Sequence, residues 1–384
     1  MILRRTMAVL CASLLLCSGA QGAPVPQGTL PLNYQPPSDS DEAGLWMMSD
    51  ELEKSFKMSP LLVRDPSLNT YVKGVVCKVA PERCASIRVY ILDVPYFNAA
   101  MSPNGAMQVW TGLLLRTHNE AQLALILGHE TSHYTLRHTI DLWRRARSST
   151  GFLTVFTLAT GGLGVIAALA VMSSLMAHSR DEEREADTQG IALAAAAGYD
   201  PTQNASLWRE MLAEEKVTPK HDDVFDFAKT HPATEERLAT MEKRAGELVS
   251  GRGDWTVGAD TYRQAVGSLR ERWLEEDLEL GHYDASLILL TELLKDEPRS
   301  GVLRFFQGET YRRRNTAGDA QKAIDAYREA AAAGDAPAAV YRGLGITEMK
   351  AGDKAAAQQA FEQYLAAAPK AGDRAMIEYY LSHL

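Results

Sequence analysis

The stretch Leu127-Gly128-His129-Glu130-Thr131-Ser132-His133 decides how this chain is read. Two histidines four residues apart on a helix lie on one face about a turn apart, so both imidazoles can reach one metal ion, and a tetrahedral zinc suits them. Leu123, Ile126 and Leu127 ahead of the pair carry the apolar spacing of a helix. Glu130, one position round from His129, aims at the coordination position left open, where a carboxylate can take the proton of a water attacking a carbonyl. The spacing therefore implies peptide hydrolysis assisted by one zinc per chain, with Glu130 as the base.

A third protein ligand has to come from another segment. Position 139 is Thr and His138 falls one residue short, so the metzincin spacing is absent. Further along, Glu182, Glu183 and Glu185 sit near the start of a helix, and helical phase separates them. Glu183 shares a face with Ala186, Asp187, Gly190 and Ala194, a strip of small side chains that lets this helix come close to the His129 helix. Glu185 shares its face with Thr188 and Gln189, which suits water. Glu183 is the expected ligand, and Asp187, one turn on, the expected carboxylate orienting a ligating histidine.

Upstream, Leu68, Val72, Val75 and Val79 repeat at helical spacing, while Ile87, Val89 and Ile91 alternate as in a strand. Cys77 and Cys84 flank the turn between them, and an oxidising compartment favours their disulfide. Asn104-Gly105 marks a turn and Gln108 to Thr111 a second short strand. Asn119 with Gln122 forms a capping pair where the metal helix begins near Glu120. Residues 181–197 form another helix, and Pro232 opens one whose Leu238, Met241, Ala245 and Leu248 share a face.

The chain has 384 residues, 46% of them hydrophobic, with 40 Lys+Arg against 49 Asp+Glu for a net charge of −9. That length fits about two domains, and the acidic balance argues against nucleic acid as a partner. Arg4 and Arg5 before an apolar run over 7–16 read as an export signal, residues 1–22, cleaved after Ala20 or Gly22. Residues 23–40 read as an extended arm, 41–250 as the metal-binding domain and 251–262 as a linker. From 263 to 384 the chain repeats with a period of about 34 residues. Gly308 precedes Tyr311, Ala323, Tyr327 and Ala330, and Gly345 precedes Ala357, Phe361, Tyr364 and Pro369. These small and aromatic positions resemble the tetratricopeptide repeat, whose antiparallel helices pack a small residue against an aromatic one. The expected fold class is α+β: a helix-rich, zincin-like domain with a small sheet, followed by an all-α repeat domain.

The HExxH at 129–133, the run Ser179-Arg180-Asp181-Glu182-Glu183-Arg184-Glu185-Ala186-Asp187, and His231-Pro232 followed by Arg237 together resemble the HtpX and CAAX-prenyl-protease family of gluzincin metallopeptidases. Asn98-Ala99, Pro103, Gly105 and residues 109–114 fit that family's segment before the metal helix. With an export signal and repeats, the chain most resembles the periplasmic BepA-type members. Glu182 and Arg184 stand where HtpX-type members often have Arg and Tyr. The resemblance implies zinc on His129, His133 and Glu183, with Glu130 as base. It also implies that His231 can fill the fourth zinc position and hold the site latent. Otherwise His231, or Arg237 behind it, is placed to stabilise a tetrahedral oxyanion. Without the family, His231 before Pro232 reads equally as a helix-start residue. Substrate is expected to lie extended along an edge strand between 98 and 110 that includes Asn98, Ala99, Ala100 and Met101, held through backbone hydrogen bonds.

The function so implied is that of an exported, periplasmic endopeptidase degrading misfolded or stalled envelope and outer-membrane proteins, with the repeats docking it to an outer-membrane assembly machine. The rival of another class is a repeat-based chaperone or assembly adaptor whose metal site is largely closed.

Residues 151–177 carry no charge. A single crossing there would place His133 and Glu183 on opposite sides of a bilayer, and two crossings need roughly 40 apolar residues. A hairpin turning near Gly161, Gly162 and Gly164 returns the chain to one side, either packed in protein or dipping into one leaflet. In the second case Trp143, Arg144, Arg145 and Arg147 are placed to rest on lipid headgroups.

Overall fold

A computed structural model describes residues 29–147, 178–218, 231, 234–250 and 253–384. The export signal, the start of the arm and the apolar stretch 151–177 lie outside the described residues. No helix among the described residues is long and apolar enough to cross a membrane.

Helix α1 (Asp41–Met58) starts at Ser40, whose hydroxyl accepts the Ala43 amide. Helix α2 (Pro66–Val79) starts at Asp65 with Pro66 in its first turn, where the missing N–H costs nothing, and buries Leu68, Val72, Val75, Val76 and Val79. The Cys77–Cys84 disulfide closes the turn that follows. Strands β1 (Arg88–Leu92), β2 (Ala99–Met101) and β3 (Ala106–Trp110) make a sheet in the order β1-β3-β2. β1 runs parallel to β3, with Arg88 opposite Ala106, and β2 runs antiparallel, with Ala100 opposite Gln108. β2 is thus an edge strand. The β2–β3 turn needs Gly105, which has φ +86° and whose Cβ would stand 2.7 Å from the Ser86 carbonyl oxygen.

After α3 (Thr111–Arg116), helix α4 (Glu120–Thr135) is capped by Asn119, whose side chain accepts the Gln122 amide at 2.9 Å. Every residue of α4 is buried, because it is packed by α2, by the sheet and by α6 (Arg180–Ala196) and α7 (Gln203–Val217). Where α4 crosses α6, a Cβ on Gly190 would sit 2.7 Å from the His129 amide nitrogen, and one on Gly128 would sit 2.8 Å from the Gly190 carbonyl oxygen. The small-residue strip thus lets the two backbones touch at the first histidine.

One local expectation is corrected. Helix α8 (Glu235–Val249) begins three residues after Pro232, because Thr234 caps it by accepting the Arg237 amide, so His231 precedes the helix rather than opening it. On α5 (His138–Ala146), Trp143 is buried against Leu45 and Ile140, Arg144 and Arg147 pair with Asp41, and Arg145 pairs with Glu182. Trp143 therefore fills the core, while Arg145 and Arg147 stay about half exposed with their charges paired.

Beyond 253 the chain is helical throughout: α9 (Ala259–Glu279), α10 (Tyr283–Asp296), α11 (Gly301–Arg314), α12 (Asp319–Ala333), α13 (Ala339–Ala351), α14 (Lys354–Ala367) and α15 (Arg374–His383). A Cβ on Gly308 of α11 would meet the Tyr327 ring of α12 at 2.7 Å, and one on Gly345 of α13 would meet the Phe361 ring of α14 at 2.6 Å. Small residues facing aromatic ones therefore set how closely these helices pair, as in repeat helices. One hydrophobic core runs from Leu68 and Leu123 through Trp273, Leu290 and Phe306 to Ala360. The Ala121 amide donates to the Val257 carbonyl at 3.0 Å, and Tyr262 hydroxyl donates to the Leu114 carbonyl at 2.5 Å.

His118, just before α4, ties the two halves electrostatically. Its Nδ1 lies 2.7 Å from Asp296 Oδ2 of α10 and its Nε2 lies 2.9 Å from Glu210 Oε2 of α7. Burial opposes its charge, but the bonds to Asp296 and Glu210 outweigh burial and push the ring up to about 9. A folded pKa above the unfolded one near 6.5 gives stability that is complete below that value and is lost as pH rises through about 9. Asp296 is half exposed, so solvent screening reduces this to roughly 1–2 kcal/mol. Between pH 6.5 and 9.5 the parent should lose about that much more urea stability than His118→Gln. Parallel losses in the two proteins would refute the assignment.

Candidate metal centre

Four side chains from three segments meet beside the α4–α6 crossing. His129 and His133 come from α4, Glu183 from the first turn of α6, and His231 from the segment ahead of α8. All four are buried, and one donor atom from each falls within 4.8 Å of the rest. His129 Nε2 is 3.0 Å from His133 Nε2 and 3.3 Å from His231 Nδ1. Glu183 Oε1 lies 2.9 Å from His231 Nδ1 and 3.4 Å from His133 Nε2, and its Oε2 lies 3.7 Å from His129 Nε2.

These separations can be tested against a metal. Ligands about 2.0–2.1 Å from a tetrahedral zinc are about 3.4 Å from one another. Five of the edges, 2.9 to 3.7 Å, bracket that value, within a set of donors that spreads to 4.8 Å. Protonation points the same way. His129 Nδ1 lies 3.0 Å from Asp187 Oδ1, and a carboxylate only accepts, so Nδ1 carries a hydrogen and Nε2, which faces the cluster, is the nitrogen that can stand bare. A bare nitrogen facing two further imidazoles and a carboxylate fits a cation. His129, His133, Glu183 and His231 therefore form a candidate metal site.

Arg237 locks the carboxylates behind it. Its Nε and Nη2 donate to Asp187 Oδ2 and Oδ1 at 2.8 Å each, its Nη1 lies 2.7 Å from Glu183 Oε2, and its guanidinium lies over the Trp208 ring. Burial raises both carboxyls, but charge and hydrogen bonds win. His231 and His133 bring Glu183 far below its usual range, and His129 and Arg237 bring Asp187 below its own. Burial lowers His133 and His231 more than the carboxylate raises them, so both rings are held neutral, as ligands require.

Glu130 is buried beside the cluster. Its Oε1 makes no hydrogen bond among the described residues and lies 3.6 Å from His231 Nε2. Burial, and then the negative Glu183, push its carboxyl well above the usual range, with Arg237 opposing. Asn98 to Met101 lie at and just before the edge strand β2, which packs against α4, the helix of both histidines. Two histidines that motif reading passed over also pack here. His138 contacts His133, and His178 stacks on the His133 ring at 3.8 Å between centroids.

The model of peptidase family M48 matches residues 63–245. Curated relatives include a mitochondrial metalloendopeptidase OMA1 of Schizosaccharomyces pombe, 30% identical over 187 residues, which is 48% of this chain and 51% of the relative. A beta-barrel assembly-enhancing protease of Escherichia coli strain K12 is 24% identical over 72% of this chain and 56% of its own length. Its namesake in Yersinia pestis is 25% identical over 78% and 62% respectively. The chain thus spans between half and two thirds of the length of these relatives. Residues 63–245, which match peptidase family M48, hold all four donors and the Asp187–Arg237 pair behind them.

Proposed function

We propose that the chain is a zinc-dependent endopeptidase of the periplasm that cleaves misfolded or stalled envelope proteins and is latent while His231 occupies the fourth position of its metal site. The observation that carries this reading is the buried convergence of three imidazoles and one carboxylate, with an unbonded Glu130 oxygen beside them. His129, His133 and Glu183 would hold the ion, and zinc bound there would polarise a carbonyl and acidify a water. Glu130 is the proton acceptor. Arg237, committed to Asp187 and Glu183, fixes the direction of two carboxylates; His231, by moving out of the cluster, opens the cleft and leaves its ring near the oxyanion. Asn98, Ala99, Ala100 and Met101 are the proposed edge for an extended substrate chain, since a β2 edge pairs by backbone rather than by sequence. Support for export comes from the leader-like residues 1–22 and from the disulfide. The assembly-enhancing proteases among the relatives support envelope substrates, and the paired helices after residue 263 are the proposed contact with an outer-membrane assembly machine.

The test is zinc content and casein cleavage for parent, His129→Ala and His231→Ala. One zinc per chain is expected in the parent, a large loss in His129→Ala, and retained zinc with faster cleavage in His231→Ala. A parent without zinc sinks the proposal. The buried fourth donor also fits an adaptor with a permanently closed site, and zinc retained without any cleavage in His231→Ala would favour that second reading.

A further inference from the structure

We infer that His138, backed by Glu185, is a positioning residue that selects the metal-binding tautomer of His133. The inference rests on the metal-site reading above.

Arg137, between α4 and α5, adopts φ +66°, a left-handed conformation that costs a non-glycine residue roughly 1 kcal/mol. Its guanidinium is held by Glu42 at 2.5 Å and lies over the Tyr34 ring, so the turn is fixed from outside the helices. The turn brings the first residue of α5 back across the end of α4. His138 Nδ1 lands 3.1 Å from His133 Nδ1, and His138 Nε2 lands 3.2 Å from Glu185 Oε2.

Counting protons along this chain leaves one arrangement for neutral rings. The Glu185 carboxylate accepts, so His138 carries its hydrogen on Nε2 and is bare at Nδ1. The two Nδ1 atoms must share one hydrogen, which therefore belongs to His133. His133 is then bare at Nε2, the nitrogen that faces His129 and Glu183. Without His138 the opposite tautomer becomes favourable, because an Nε2–H could donate to Glu183 Oε1 at 3.4 Å and would mask the ligand nitrogen. His178, stacked at 26° on the His133 ring, covers one ring face and resists reorientation. His133 thus receives from His138 what His129 receives from Asp187, an acceptor on the ring nitrogen away from the cluster.

The experiment measures zinc affinity by chelator competition on the full chain for parent, His138→Asn and His138→Leu, with melting of the metal-free proteins alongside. Asn places an acceptor oxygen where Nδ1 stood, and Leu does not. His138→Leu should bind zinc about 10- to 100-fold more weakly, the range for losing such a partner. His138→Asn should stay within a few-fold of the parent, and the two metal-free variants should melt alike. Equal affinity in parent and His138→Leu, or equal losses in both variants, overturns the inference alone. A parent that binds no zinc overturns the metal-site reading and the inference with it. Should the Leu variant not fold, ring-nitrogen NMR of the metal-free parent decides: hydrogen on His133 Nδ1 is expected, and hydrogen on Nε2 overturns the inference.

Discussion

Glu130→Gln is expected to reduce casein cleavage by roughly 10²- to 10⁴-fold, the usual range for removing a positioned base, or about 3–5 kcal/mol of barrier. Amide and carboxylate have the same shape, so the packing around this buried side chain does not change. What changes is the ability to accept a proton. The metal-free protein should not suffer. Burial and Glu183 raise the folded pKa of Glu130 above its unfolded value, so the fold resists an ionisation that the unfolded chain undergoes freely, a cost in stability that appears as pH rises from the unfolded pKa. A neutral amide removes that cost. The variant is therefore expected to keep its zinc and, without metal, to melt no lower than the parent at pH 7. The measurement pairs turnover, best made on a His231→Ala background, with zinc content and metal-free melting. Retention of more than a tenth of the activity, or a loss of zinc that accounts for the inactivity, would remove Glu130 from its assigned role.

How much of this was legible in the sequence depends on the range of the interaction. Helical phase separated two neighbouring carboxylates, Glu183 at 1% side-chain exposure and Glu185 at 65%, because the small residues that let α6 touch α4 repeat along a single face. The aromatic rings opposite Gly308 and Gly345 were legible for the same reason. His138 was not, since its contact with His133 depends on a left-handed turn at Arg137 that no periodicity encodes. Trp143 followed by arginines reads alike whether it faces lipid or fills a core, and only the placement of α1 decides. Pro232 suggested a helix start that Thr234 takes instead, because its hydroxyl can accept an amide and proline has no side-chain acceptor. Pairs of charges far apart in sequence were the least visible, as each partner alone resembles a solvated surface residue.

Arg116 is the largest case of that kind, and Arg116→Met should cost about 3–5 kcal/mol, the range for removing one partner of a buried ionic cluster. Its Nε donates to Glu214 Oε2 at 2.8 Å, its Nη2 donates to Asp277 Oδ1 at 2.7 Å, and Ser286 Oγ donates to the other Asp277 oxygen at 2.6 Å. The cluster joins α3 and α7 of the metal-binding half to α9 and α10 beyond it, and all three ionic side chains are nearly inaccessible. One cation already serves two carboxylates. Burial pushes Glu214 up to about 7 even though Arg116 opposes it, with Glu210 and Asp277 adding to the rise. Methionine matches the bulk of the stem but leaves both carboxylates buried without their cation, so the folded pKa of Glu214 must rise further. Such groups destabilise the fold as pH climbs above their unfolded values and stop doing so once protonated. The difference in urea stability between parent and variant should therefore be largest near pH 8 and shrink by pH 5. Replacing all three ionic partners together with apolar residues of similar volume should recover most of the loss, since the penalty lies in unpaired charge rather than in the missing bonds. A deficit under 1 kcal/mol, or one equal at the two pH values, would mean that the two halves are held together by their shared apolar core alone.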